Sequence, residues 1–164
     1  MVDRKVISSR FFSCFADKSR RNMATLFKVT KGSVTGWANK GTVPWSKLKY
    51  LSDSQAISWD WLIEGKEPKH SDKAIKIPKT PSPQFNTKAI AKRFLSLYPN
   101  MTQTEIAAIL GVTVTTVNDW KRNKCKVGWD RLADAVGTFG IRWDWLIDGV
   151  EPKYRELLSQ ESIQ

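Results

Sequence analysis

Residues 59–69 read WDWLIEGKEPK, and residues 143–153 read WDWLIDGVEPK. Two of the eleven positions differ, and one of them, Glu64 against Asp148, keeps its charge. These copies lie 84 residues apart, whereas Arg10-Phe11 and Arg93-Phe94, like Trp37 and Trp120, lie 83 apart. One residue is therefore inserted in the second copy between Trp120 and Trp129, the partner of Trp45. All eight tryptophans fall into four pairs, 37/120, 45/129, 59/143 and 61/145. A repeat in register over this length makes each copy a unit of its own. The 164 residues suffice for one ordinary domain or two very small ones.

The repeat divides the chain into a first unit (1–69), a linker (70–86), a second unit (87–153) and a short tail (154–164). Pro78, Pro81 and Pro83 stop helix formation in the linker, which reads as semi-extended. At ~3.1 Å per residue it could reach roughly 50 Å. The chain carries a formal net charge of +11, from 27 Lys and Arg against 16 Asp and Glu. The first unit contributes +7 and the second +3. Such an excess attracts polyanions, nucleic acid foremost, although basic proteins without that role exist.

Several function classes lose support. No apolar run is long enough to span a bilayer, and residues 1–16, broken by Arg4, Lys5 and Arg10, do not read as a signal peptide. A cytoplasmic protein with no membrane partner is expected. Cys14 and Cys125 are too few for a disulfide framework or a zinc site, and His70 lies alone in a polar stretch. Asp60, Glu64 and Glu67, with Asp144, Asp148 and Glu151, are expected on a short exposed helix without His or Cys nearby. That is a solvated or structural role rather than acid–base catalysis. Neither enzyme activity, cofactor nor metal is expected.

In the second unit Thr102 is a good N-cap, and Glu105 completes a capping box. A helix over 103–110 follows, with Ile106, Ala107 and Leu110 inward. Gly111 supplies a left-handed turn without strain. Thr113 can cap a second helix running to about Asn123, with Thr116, Val117 and Trp120 inward. Two short helices joined by such a turn have the spacing of a helix-turn-helix. The outward face of the second helix holds Val114, Thr115, Asn118, Asp119 and Arg122, and Lys124 follows it. Asn can bond adenine in two places, Arg guanine, and a Val or Thr methyl can touch thymine.

The first unit fits the same register. Met23, Ala24, Phe27, Val29, Val34 and Trp37 take the inward positions. Lys31, Gly32, Thr35, Gly36 and Asn39 face outward, with Lys40 at the end. Arg20 and Arg21 begin its first helix, where phosphates bind through backbone N–H groups and positive charge. Lys28 stands at the turn-glycine position and carries some strain there. Gly32 and Gly36 weaken the second helix but permit close approach to a duplex.

These residues resemble the phage lambda-repressor-like domains, above all the N-terminal domain of phage CI-type repressors. The likeness rests on a recognition helix ending in Trp (SVTGWAN and TVNDWKR), a further helix near Pro44-Trp45 or Gly128-Trp129, and the closing I-x-W-D-W-L-I-x-G-x-E-P segment. It covers about residues 8–69 and 87–153. It implies an all-α protein of two tandem domains, each of four to five helices, reading operator DNA with the third helix. By position it carries over Lys31, Gly32, Thr35 and Asn39 in the first unit, and Gln103, Val114, Thr115, Asn118 and Arg122 in the second. Asp119 would meet phosphate repulsion. Acidic residues that related activators use early in the second helix are replaced by Arg21, Thr25, Thr104 and Ala108.

The expected function is therefore a sequence-specific regulator, more a repressor than an activator, with double-stranded operator DNA as partner. The alternative is a protein-interaction module, an antirepressor or oligomerisation factor, whose units have partly lost DNA binding. Homo-oligomerisation stays open, and Tyr154, Leu157 and Leu158 lie at helical spacing in the tail. The tryptophans read as core residues rather than base-stacking platforms. Trp59 and Trp61 cannot both face inward from one helix, so one of them, and one of Trp143 and Trp145, should cover the first helix or meet another unit.

Overall fold

The computed structural model describes residues 3–72, 75 and 84–155. It is all-α. The chain divides into two compact units, Met1–Thr87 and Lys88–Gln164. Five helices belong to the first: α1 (Arg4–Ser13), α2 (Arg20–Phe27), α3 (Lys31–Lys40), α4 (Trp45–Gln55) and α5 (Trp59–Glu64). Five more follow: α6 (Thr87–Leu95), α7 (Gln103–Leu110), α8 (Val114–Lys121), α9 (Trp129–Phe139) and α10 (Trp143–Asp148). Among the described residues there is no sheet, only the isolated bridges Ile57–His70 and Ile141–Tyr154.

Each unit encloses its own aromatic core. In the first, Phe11 of α1 lies 5.2 Å from Phe15 and 5.8 Å from Phe27 of α2, ring centre to ring centre. Trp37 of α3 packs edge-on against Phe27 at 6.1 Å. In the second, Phe94 takes the place of Phe11 and meets Trp120 at 5.7 Å. Trp37 and Trp120 are both buried, as are the four phenylalanines, so all six aromatics are core.

The first and last helices of each unit are tied by an arginine. Arg10 of α1 donates to the carbonyls of Leu62 (3.1 Å) and Ile63 (2.9 Å) at the end of α5. Arg93 of α6 donates to Leu146 (2.8 Å) and to Ile147 at the end of α10. A guanidinium there satisfies carbonyls that a helix end leaves without partners, and it suits the negative end of the helix dipole. Burial pushes the Arg93 guanidinium down from its ordinary value, and the nearby Asp148 carboxylate opposes that shift. Gly65 caps α5 at φ +77°, and a Cβ there would stand 2.5 Å from the Arg10 guanidinium. Left-handed backbone and close approach both demand glycine.

Four expectations need correction. The second unit's recognition helix does not run to Asn123. It ends at Lys121, with Arg122 as C-cap and Asn123 left-handed at φ 56°. Trp143 and Trp145 are both buried, at 1% and 8% exposure. The helix alone could not cover both, but the chain turns back after it. Arg142 N donates to Lys153 O at 2.9 Å, and the Lys153 ammonium sits 4.7 Å from the centre of the Trp145 ring. Lys69 covers the half-buried Trp61 in the same way, at 4.9 Å. Asp60 and Asp144 are buried, not solvated. Each lies in the first turn of its helix, where the dipole favours a carboxylate, and Asp144 also pairs with Arg142 at 3.3 Å.

The fourth correction concerns the linker. Ser71 N still bonds Ala56 O at 2.8 Å, and Phe85 packs on Trp59, so both ends of residues 70–86 belong to the first unit. The expected extension through Pro78, Pro81 and Pro83, and the tail residues Leu157 and Leu158, lie outside the described residues. Cys14 is half-buried, and burial pushes its thiol up from the ordinary value.

Candidate nucleic-acid interface

Two helix pairs present the same construction. Residues 28–30 join α2 to α3, and residues 111–113 join α7 to α8. Each turn is opened by a left-handed residue, Lys28 (φ 51°) or Gly111 (φ 60°). Val29 N and Val112 N then return to Ala24 O and Ala107 O, each at 3.0 Å. Both alanines are buried, as the close helix crossing requires.

The second helix of each pair begins on a threonine. Thr30 accepts from Ser33 N at 3.1 Å, and Thr113 accepts from Thr116 N at 3.2 Å. The paired hydroxyls also meet, at 2.9 Å in both units. Thr116, read as inward, is half-buried. Because the caps use the threonine oxygens, the next residues, Lys31 and Val114, are held at the exposed tip of their helices.

Burial separates the two faces. Val34, Trp37, Val117 and Trp120 are buried. On the other side of α3, Lys31, Gly32, Asn39 and Lys40 are exposed and Thr35 half-exposed. Lys31, Thr35 and Asn39 recur every fourth residue and form one stripe. On α8, Val114 and Thr115 are exposed and Asn118 is half-exposed. Arg122 is exposed just past the helix end, with Lys124 beyond it. Arg20 and Arg21 are exposed at the start of α2, while their register mate Gln103 is half-buried at the start of α7.

Charge differs between the pairs. Residues 20–41 hold Arg20, Arg21, Lys28, Lys31 and Lys40 and no acid. Residues 103–124 hold Lys121, Arg122 and Lys124 against Glu105 and Asp119. The second unit's cations gather after α8, where Lys121 and Lys126, passed over in the sequence reading, extend the group. Their signal was legible as the run KRNKCK. Glu105 is engaged locally: Thr102 N and Oγ1 donate to its carboxylate at 2.7 and 2.8 Å. Those two bonds hold its carboxyl below the ordinary range.

The first unit buries a cation, as well as Asp60, in its core. Lys47 of α4 is buried over the Phe27 ring, with Nζ 3.4 Å from Phe27 O at the end of α2. Burial lowers its pKa. It braces the helix pair from behind and takes no part in the exposed face. Among the described residues no cluster of three or more His, Cys, Asp or Glu is placed to hold a metal ion. No described helix is long and apolar enough to cross a membrane. No protein family, curated protein or solved structure matches the chain.

Proposed function

We propose that the protein is a sequence-specific regulator that binds double-stranded DNA in the major groove through α3, α8 or both, in the manner of the phage CI-type repressors it resembles. One observation carries this reading. In each unit a short helix, a three-residue turn and a second helix expose a polar face whose reverse is core. A helix held in this way is narrow enough to enter the major groove. Thr35, Asn39, Asn118 and Arg122 offer base-edge donors and acceptors, and Val114 and Thr115 offer methyl contacts. Arg20, Arg21, Lys31, Lys40 and Lys124 offer phosphate contacts, and Gln103 can meet a sugar or phosphate at the start of α7. Gly32 leaves the backbone of α3 open to close approach, since a Cβ there would touch only the Thr30 hydroxyl, at 3.7 Å.

A gel-shift series tests the proposal, first on random-sequence DNA, then on the site selected from it. Binding should weaken steeply with salt, by roughly 0.9 in log–log slope per phosphate contact. A specific site should bind at least about a thousandfold tighter than random DNA.

A second reading has its own observation. The α7–α8 pair exposes Ile109 (58%) and Val114 (38%), with half-exposed Asp119, beside fewer cations, a surface suited to protein as much as to DNA. If a chain altered only on α8 binds DNA with unchanged affinity, site preference and salt slope, α8 serves as an interaction surface.

A further inference from the structure

The two helix pairs share one frame and differ in what they mount on it. The turn bond is 3.0 Å in both, from Val29 N to Ala24 O and from Val112 N to Ala107 O. Both second helices are capped by threonine, Thr30 accepting from Ser33 N at 3.1 Å and Thr113 from Thr116 N at 3.2 Å. On that frame the residues after the cap are Lys31 and Gly32 in α3 but Val114 and Thr115 in α8. The repeat is thus a control, because a lysine and a glycine serve the fold at these places as well as a valine and a threonine do. Packing within the unit does not call for Val114, which is exposed.

The chemistry of this part of α8 is apolar. The hydroxyls of Thr113 and Thr116 are spent on each other, at 2.9 Å, and on the cap. Val114 has no polar side-chain atom, and a β-branched residue in a helix keeps essentially one χ1 rotamer, so its methyls are placed in advance. Asn118 stands one turn further along the same stripe and is half-exposed. Beyond it Lys121, Arg122, Lys124 and Lys126 are all exposed, with no acid between them. Those cations favour a polyanion over an apolar protein surface as the occupant of this face. Among the groups that a duplex shows in its major groove, the apolar one is the C5 methyl of thymine. Methylated cytosine carries the same group at the same place.

We propose that Val114 reads a pyrimidine C5 methyl, so that the second unit accepts thymine or C5-methylated cytosine at one position and rejects uracil or unmodified cytosine there. The inference rests on the DNA reading above and adds to it a response to cytosine methylation. Residues one turn apart on a helix face are separated by about 6 Å, and successive bases of a strand by about 3.4 Å. The methyl read by Val114 therefore lies within about two base pairs of the base that Asn118 contacts.

Binding of the full chain to a site selected from random DNA tests this. Each thymine of the site is replaced in turn by deoxyuridine, which removes the methyl and nothing else. Wild type should lose about fourfold at one thymine, the value of one methyl taken out of contact. That thymine should lie within about two base pairs of the position whose preference Asn118→Ala relaxes. Cytosine placed there should bind more weakly, and its C5 methylation should recover about fourfold. Val114→Ala should make thymine and uracil equal and end the methylation response. Val114→Lys, with the first unit's side chain, should do the same and steepen the salt slope by about 0.9. Ile109→Ala, which removes exposed apolar surface from α7, should keep the uracil profile of wild type. Unchanged melting of the second unit shows that the variants fold. A uracil profile that is flat in wild type, or a uracil loss that persists in both Val114 variants, overturns the inference, while the selected site still upholds DNA binding. Failure of every form to select DNA overturns the DNA reading and this inference with it.

Discussion

The two units solve the same turn with different residues. After α7 the chain bends at Gly111, and after α9 at Gly140; at the matching places the first unit has Lys28 (φ 51°) and Ala56 (φ 50°). A Cβ in left-handed backbone costs about 1–2 kcal/mol, so the first unit carries strain twice where the second carries none. Charge runs the opposite way. The helix pair of the first unit has five cations and no acid, while that of the second mixes three with two. At these two turns the unit with the weaker field is the less strained, while its own left-handed non-glycine residues, Asn100 (φ 61°) and Asn123 (φ 56°), are asparagines, which tolerate that conformation better. Lys28 joins these trends, because the residue that strains the turn is also an exposed cation beside the candidate DNA face. Phosphate attraction is the physical gain that a lysine offers there and a glycine does not.

The largest effect should come from the shared core. Trp37→Ala and Trp120→Ala should each remove roughly 3–5 kcal/mol from their own unit and leave the other intact. Calorimetry should show one of two transitions lost; a shift of both together would mean that the units do not unfold separately. Next come the outward stripes. Asn118→Ala or Arg122→Ala should cost about 1–3 kcal/mol on the best site and relax base preference. Lys31→Ala, if it meets phosphate, should weaken all sequences alike and lower the salt slope by about one. Equal loss of specificity from both sets would erase the proposed contrast between the stripes.

Smaller effects separate the turns. Lys28→Gly should stabilise the first unit by roughly 1 kcal/mol, and Gly111→Lys should destabilise the second by a similar amount. Thermal melts check both, and the first variant should also bind DNA more weakly. Smallest of all is an acid response confined to the second unit. Glu105 has its carboxyl lowered by the Thr102 bonds, so its contribution is complete above the ordinary glutamate range. It should fade as pH falls through the lowered value, where the folded state finally takes up the proton. The first unit has Asn22 at the matching position and lacks this box. Glu105→Gln should abolish the difference in acid melts between the units.

Local chemistry explains what was legible beforehand. The helix over 103–110 announced itself through Thr102, Glu105 and Gly111, which act within a few residues of where they stand. The end of α8 was misplaced because Asn123, a weaker signal than glycine for left-handed backbone, stops it. Trp145 was misjudged because Lys153, which covers it, arrives only after the chain has reversed. Arg10 and Arg93 were visible as repeat landmarks, but their carbonyl partners lie more than fifty residues away and no spacing rule points to them. Phe85 read as linker by composition, and only its seat on Trp59 assigns it to the first unit. For the candidate face, the outward positions followed from helical periodicity, whereas the uneven exposure of Gln103 and Arg20 depends on packing.

The guanidinium ties also bear on how each unit breathes. Chain ends ordinarily fray first, and their amides exchange hydrogen with water through small local openings. Here α1 cannot lift away without stripping Arg10 from the last carbonyls of α5, and α6 is bound to α10 by Arg93 in the same manner. Opening at either end therefore requires opening at both. Amides of α1, α5, α6 and α10 should exchange only through global unfolding of their unit, while α3 and α8, exposed along one face, exchange sooner. The soft parts of each unit would then be the helices offered to a partner, and the terminal helices would be the rigid frame that holds them.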